Sequence, residues 1–218
     1  MKIALIGATG FVGSHILKEL LSRKKYQVTA IARNIDKIDV KSPNLTSVSV
    51  DVLNTEELAR ALKDCKAVIS AYNPGWGNPN IYEDFLKGYE SIQQAVKGAN
   101  IKRFIVIGGA GSLYVEGGKQ LVDSDDFPKE IKPGATAARD YFEALKRETY
   151  LDWTFFSPAI QMNPEVTTGR TGKYRLGKDT PVIGKDGTST LSVEDLAVVI
   201  VDELENKKFS RKQFTAGY

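Results

Sequence analysis

Ile3-Ala4-Leu5-Ile6-Gly7-Ala8-Thr9-Gly10-Phe11-Val12-Gly13 decides how the rest of the chain is read. A short apolar run breaks into glycines at 7, 10 and 13. Val12, Ile16, Leu17, Leu20 and Leu21 then recur at helical spacing, which predicts strand, tight turn and helix. Glycine suits such a turn because the backbone angles exclude a Cβ and because a phosphate must approach bare main chain. A helix starting there turns unpaired N–H groups and the positive end of its dipole toward the turn. Gly7, Thr9, Gly10, Phe11, Val12 and Gly13 are therefore expected to cradle the pyrophosphate of a dinucleotide.

Working outward, Gln27 to Ala32 reads as a second strand, Thr46 to Val50 as a third, Ala67 to Ser70 as a fourth and Arg103 to Ile107 as a fifth. Asn54 with Glu57 three residues on predicts a helix start, and Phe85, Tyr89, Ile92 and Val96 predict a longer helix ending at Gly98. Between strand four and that helix, Tyr72 to Pro79 is too rich in proline and glycine to be regular. The stretch 114–134 reads as a long, mobile surface loop, with helix resuming at Ala135 and a sixth strand over Trp153 to Phe156. Residues 161–191 read as an irregular or hairpin-like insertion on the substrate side, Ser192 as the cap of a last helix, and Gln213 to Thr215 as an edge strand. The expectation is one α/β domain over 1–218: a doubly wound, mainly parallel sheet with a small C-terminal elaboration.

Composition narrows the function classes. The 218 residues are 42% hydrophobic and 26% charged with net charge +3, which suits a globular protein and excludes a strongly basic nucleic-acid stripe. No apolar run is long enough to span a membrane, and Met1-Lys2 leads straight into a strand with no signal-peptide pattern, so a cytoplasmic protein is expected. One cysteine, Cys65, reads as a buried thiol, and one histidine, His15, as exposed or set beside the phosphates; together they offer no metal constellation.

The Gly7-Ala8-Thr9-Gly10-Phe11-Val12-Gly13 spacing resembles the cofactor loop of extended and atypical short-chain dehydrogenase/reductase proteins. Further matches are Asp51-Val52, Gly108-Gly109-Ala110-Gly111-Ser112-Leu113, Asp152-Trp153-Thr154, Arg170 to Leu176 and Ser192-Val193-Glu194-Asp195-Leu196-Ala197. Together they resemble the small NAD(P)H-binding group that includes NmrA-like proteins and the biliverdin reductase B and flavin reductase proteins. The resemblance implies an NAD(P)-binding Rossmann fold. It also implies that Asp51 and Val52 hold the adenine edge and that Ser70 and Ala71 line the ribose and nicotinamide side. Tyr72, Gly108, Gly109 and Pro158 complete the expected cofactor set.

Arg33 sharpens the ligand. It stands about twenty residues beyond Gly13, where an acid would take a ribose 2′-hydroxyl and an arginine suits a 2′-phosphate, so NADP(H) is expected over NAD(H). Lys37 would face the same phosphate if Asn34 to Ile38 make a helical turn. Neither Tyr141, followed by Leu145, nor Tyr114, followed by Gly118, has four residues on the lysine that usually joins a tyrosine in acid–base work in this superfamily. Catalytic residues stay unassigned, with Ser112 and Tyr114 as candidates. The expected function is NADPH-dependent reduction of a small flavin- or quinone-like acceptor, with a non-catalytic NADP(H) sensor and its protein partner as the alternative. An epimerase or dehydratase comes third.

Overall fold

The computed structural model describes residues 1–218. Its strands are β1 (Lys2–Ile6), β2 (Gln27–Ala32), β3 (Leu45–Ser49), β4 (Ala67–Ser70), β5 (Arg103–Ile107), β6 (Asp152–Phe156), β7 (Arg175–Gly177) and β8 (Lys212–Gly217). Its α-helices are α1 (Phe11–Ser22), α2 (Thr55–Ala61), α3 (Ile81–Gly98), α4 (Lys132–Leu145) and α5 (Val193–Asn206). One sheet takes all eight strands in the order β3-β2-β1-β4-β5-β6-β8-β7. Every pairing is parallel except that of β7 with β8.

The strands read as unbroken apolar runs because both faces of the sheet are buried. Ala4, Ile6, Val68, Phe104 and Val106 point to the side covered by α2, α3 and α4. Their neighbours Ile3, Leu5, Ile69, Ile105 and Ile107 point to the side covered by α1 and α5. Cys65 belongs to the first of these layers, as the sequence suggests. Asn54 caps α2 by accepting from the Glu57 N–H at 3.2 Å while its own amide donates to the Glu57 carboxylate at 2.8 Å, the reciprocal pair expected from their spacing.

Four local expectations need correction. Residues 212–217 form a six-residue strand between β6 and β7, not the sheet edge. The edge is β7, which comes from within 161–191 and is too short and too exposed to betray itself by alternation. Helix α4 begins at Lys132, because proline in the first turn lacks only an N–H that has no helical acceptor anyway. The stretch before it is stitched down: Val122 is buried, Leu121 N–H donates to Leu113 O at 2.8 Å, and Arg139 donates to Asp123 and Gln120.

The 161–191 segment is held to the body by α5. Ser192 caps that helix, accepting from the Asp195 N–H at 3.1 Å and donating to the Gly169 carbonyl at 2.7 Å. Asp195, completely buried, accepts from the N–H groups of Thr171 (2.9 Å) and Gly172 (2.7 Å) and from the hydroxyls of Thr171 (2.5 Å) and Tyr218 (2.7 Å). Next to it Arg170 donates twice to Glu19, at 2.9 and 3.1 Å. Burial pushes the Glu19 carboxyl up, but hydrogen bonds from Arg170 and Arg23 outweigh it and hold the group below the usual carboxylate range. Asp195→Asn keeps the shape and replaces one acceptor oxygen with a donor among four donors. It should destabilise the protein by about 2 kcal/mol, read as a lower urea midpoint at unchanged m-value.

Candidate functional site

The strand order reverses between β1 and β4, so the loops after them flank a crevice at the carboxyl edge of the sheet. Gly7 sits there at φ +79°, donating to the Ile31 carbonyl at 2.9 Å; a Cβ on it would lie 2.6 Å from the Ala71 carbonyl oxygen. A Cβ on Gly13 would lie 2.0 Å from the Gly7 carbonyl oxygen, so these two glycines let turn, helix and β4 close on each other. Gly10 is different. Its φ is −77°, its nearest Cβ neighbour would be 3.4 Å away, and it faces solvent, so the protein's own packing does not require glycine there.

Helix α1 starts from Gly10 without a side-chain cap and without an acid in its first turn. Helices α2 and α5 each have both. Helix α4, like α1, has neither, so the first-turn N–H groups of both lack a side-chain acceptor at the cap. Thr9 and Val12 are half-buried and Phe11 is exposed beside this opening. His15 turns away from it: its Nδ1 lies 2.8 Å from the Phe11 carbonyl and its Nε2 3.9 Å from Glu194 on α5.

Arg33 ends β2 with its side chain in water and no ion-pair partner. The helical turn proposed for its neighbours exists as a 3-10 turn over Ile35–Lys37, capped by Asn34, and Lys37 is exposed on it. Asp51, exposed at the end of β3, accepts from Leu53 N–H at 2.9 Å through one oxygen and leaves the other free. The Val52 side chain is buried in the core and its carbonyl accepts from Ser91, so it offers only its N–H to a ligand.

The β4, β5 and β6 ends carry the other expected residues. Ser70 is fully buried and accepts from Tyr72 N–H at 3.4 Å; Ala71 is half-buried against Gly7. The Tyr72 hydroxyl donates to the Asp84 carbonyl at 3.1 Å, and burial, with Asp84 nearby, pushes its pKa up to about 12. Gly108 has the ring of Phe155 where a Cβ would be, so glycine is there for packing, whereas Gly109 faces only Ala138 at 3.6 Å. Pro158 is buried.

Of the two catalytic candidates, the Ser112 hydroxyl is engaged within the protein. Ser112 is 1% exposed; its hydroxyl donates to the Gly109 carbonyl at 2.9 Å and lies 2.8 Å from Ser157 Oγ, with the Gln213 amide donating to both serines. Tyr114 is half-buried, and its backbone N–H donates to Asp179 of the 161–191 segment at 2.7 Å. Helix α4 meets the glycine turn after β5 through Ala135 and Ala138, whose Cβ atoms lie 3.2 and 3.6 Å from where a Cβ on Gly111 and Gly109 would be. Gly134 beside them is covered by Trp76 and Ile81. Tyr141, one turn further, is buried and stacked on Tyr89 with ring centroids 4.5 Å apart.

Residues 7–207, from the glycine turn to just past the end of α5, match a family described as NAD(P)H-binding. The chain belongs to the NAD(P)H-binding family. A crystal structure of an epimerase candidate from Bacteroides thetaiotaomicron is 44% identical, with TM-score 0.91 over 100% of this chain and 96% of that one. That of a candidate NADH-flavin reductase from Streptococcus pneumoniae TIGR4 is 34% identical, with TM-score 0.85 over 100% and 99%. The uncharacterized protein YwnB of Bacillus subtilis (strain 168) is 35% identical over 217 residues, 99% of this chain and 97% of its own. Likeness extends to an NmrA-like oxidoreductase as well. No helix is long and apolar enough to cross a membrane.

Within this NAD(P)H-binding chain, two features of the site escape a reading by motif. Gln213, 101 residues from Ser112, ties the β5 and β6 ends together and looks in sequence like an ordinary strand residue. Asp195, read from sequence as a helix-dipole acid, fixes the segment whose Asp179 meets Tyr114.

Proposed function

We propose that the protein is an NADPH-dependent reductase of a planar acceptor such as a flavin or quinone. The observation that carries this reading is a glycine turn at the uncapped start of α1 together with a Ser112 hydroxyl locked by Gly109, Ser157 and Gln213. Gly7, Gly10 and Gly13 with the α1 N-terminus would hold the pyrophosphate, and the free guanidinium of Arg33, helped by Lys37, would hold a 2′-phosphate. The second carboxylate oxygen of Asp51, which the Leu53 N–H does not use, would accept from an adenine amino group. When bound, the nicotinamide supplies a hydride; acceptors of this class take it without a side-chain acid, because solvent can protonate the product. Tyr72, held protonated, and Ala135 and Ala138, small and apolar, would shape and dry the reacting side. An epimerase or dehydratase would need a side-chain acid or base beside the nicotinamide, and Ser112, tied to Gly109 and Ser157, is poorly suited to that work.

The test is to follow nicotinamide absorbance while purified protein meets NADPH or NADH with FMN, menadione, ferricyanide and small aldehydes. NADPH oxidation with FMN or menadione should exceed that with NADH and with the aldehydes. Tight NADPH binding with no turnover across the panel would refute catalysis and favour the sensor reading.

A further inference from the structure

Five of the nine large apolar side chains left in water belong to loops and helix starts at the carboxyl edge of the sheet. Phe11, Leu53, Trp76, Ile131 and Ile160 all follow the carboxyl ends of strands or precede the helix that packs there. Trp76 is the largest of them and 58% exposed. It sits in the loop after β4, beside the crevice where the strand order reverses.

The indole is fixed by its rim. Gly134 in the first turn of α4 lies so close under it that a Cβ there would be 2.8 Å from the indole Cζ3 and 2.8 Å from Ile81 Cδ1. Any larger residue at 134 would lift the ring away. The loop around it is braced as well: Asn73 accepts from Gly75 N–H at 2.7 Å, Asn78 accepts from Asn80 N–H at 2.9 Å, and the Asn78 amide donates to Asp84 at 2.8 Å. Pro74 and Pro79 restrict the backbone further. An aromatic surface held at its edge and left bare has its ordering cost already met before a ligand arrives. A flat π-face is the ligand chemistry it fits, by offset stacking.

We propose that Trp76 is the stacking wall of the acceptor subsite and selects fused planar ring systems over small carbonyl compounds. This rests on the reductase reading above and adds to it the residue that sets acceptor class. The chain's other tryptophan, Trp153, is 3% exposed, so an emission change on binding reports chiefly on Trp76.

The experiment uses FMN as the probe with NADP+ present, so that binding is measured without turnover. FMN should quench wild-type emission, and Trp76→Phe should lose most of that quenching while keeping most of the affinity. Calorimetry should give FMN a Kd about three- to tenfold weaker in Trp76→Ala, with NADP+ affinity and thermal midpoint unchanged. An equal FMN Kd in Trp76→Ala and wild type, or no FMN binding to wild type, overturns the proposal. Stacking of FMN on Trp76 in a protein that reduces nothing would defeat the reductase reading and leave the stacking wall standing.

Discussion

A Gly13→Ala protein is expected to lose about 3 kcal/mol of stability and its dinucleotide binding together. The added Cβ would lie 2.0 Å from the Gly7 carbonyl oxygen and 3.2 Å from Ala8 Cα, both main chain, so no side-chain rotation relieves the overlap. Helix α1 must then tilt away from the turn that it completes, and its first-turn N–H groups leave the place where phosphate would sit. Gly10→Ala makes the informative contrast. With φ −77° and only the Gly7 carbonyl oxygen, 3.4 Å away, near the new methyl, its stability should stay within about 1 kcal/mol of wild type. The same methyl would occupy the mouth of the cradle and should weaken NADPH about tenfold or more. Urea unfolding and dinucleotide titration of the two variants check both halves; a Gly10→Ala protein with wild-type NADPH affinity would move the phosphate away from this turn.

Arg33→Asp should weaken NADPH by about 10- to 100-fold and change NADH by no more than about threefold. The guanidinium is exposed, has no carboxylate partner in the protein, and stands at the end of the strand next to β1. Its removal therefore leaves no buried charge behind and should not disturb the fold. A 2′-phosphate would lose a charge-assisted contact and meet a carboxylate instead, while NADH has no phosphate there to feel the change. Because the site is open to water, the preference for NADPH should also shrink as salt is raised. Equal losses for the two dinucleotides would place Arg33 outside the ribose site.

Much of the architecture is legible in the sequence because its signals are local. β1, β2, β4 and β5 are runs buried on both faces, and Asn54 and Ser192 cap helices through atoms three residues away. The glycine turn is equally local, since three glycines within seven residues define strand, turn and helix start. The start of α4 was hidden by Pro133 and Gly134, residues that usually stop a helix and here open one. β7 could not be found from its own three residues, because it is a strand only by virtue of β8 beside it.

The sequence by itself determined the doubly wound fold and the glycine turn that opens α1, since each depends on neighbours along the chain. Only the tertiary structure decided that Gly108 serves Phe155, that Ser112 is locked by Ser157 and Gln213, that Asp195 fastens Thr171 and Gly172, and that Trp76 rests bare on Gly134. Those outcomes follow from which strands and helices come to lie side by side. Contact between residues tens of positions apart is fixed by packing two core layers against one sheet, and no local pattern carries that information.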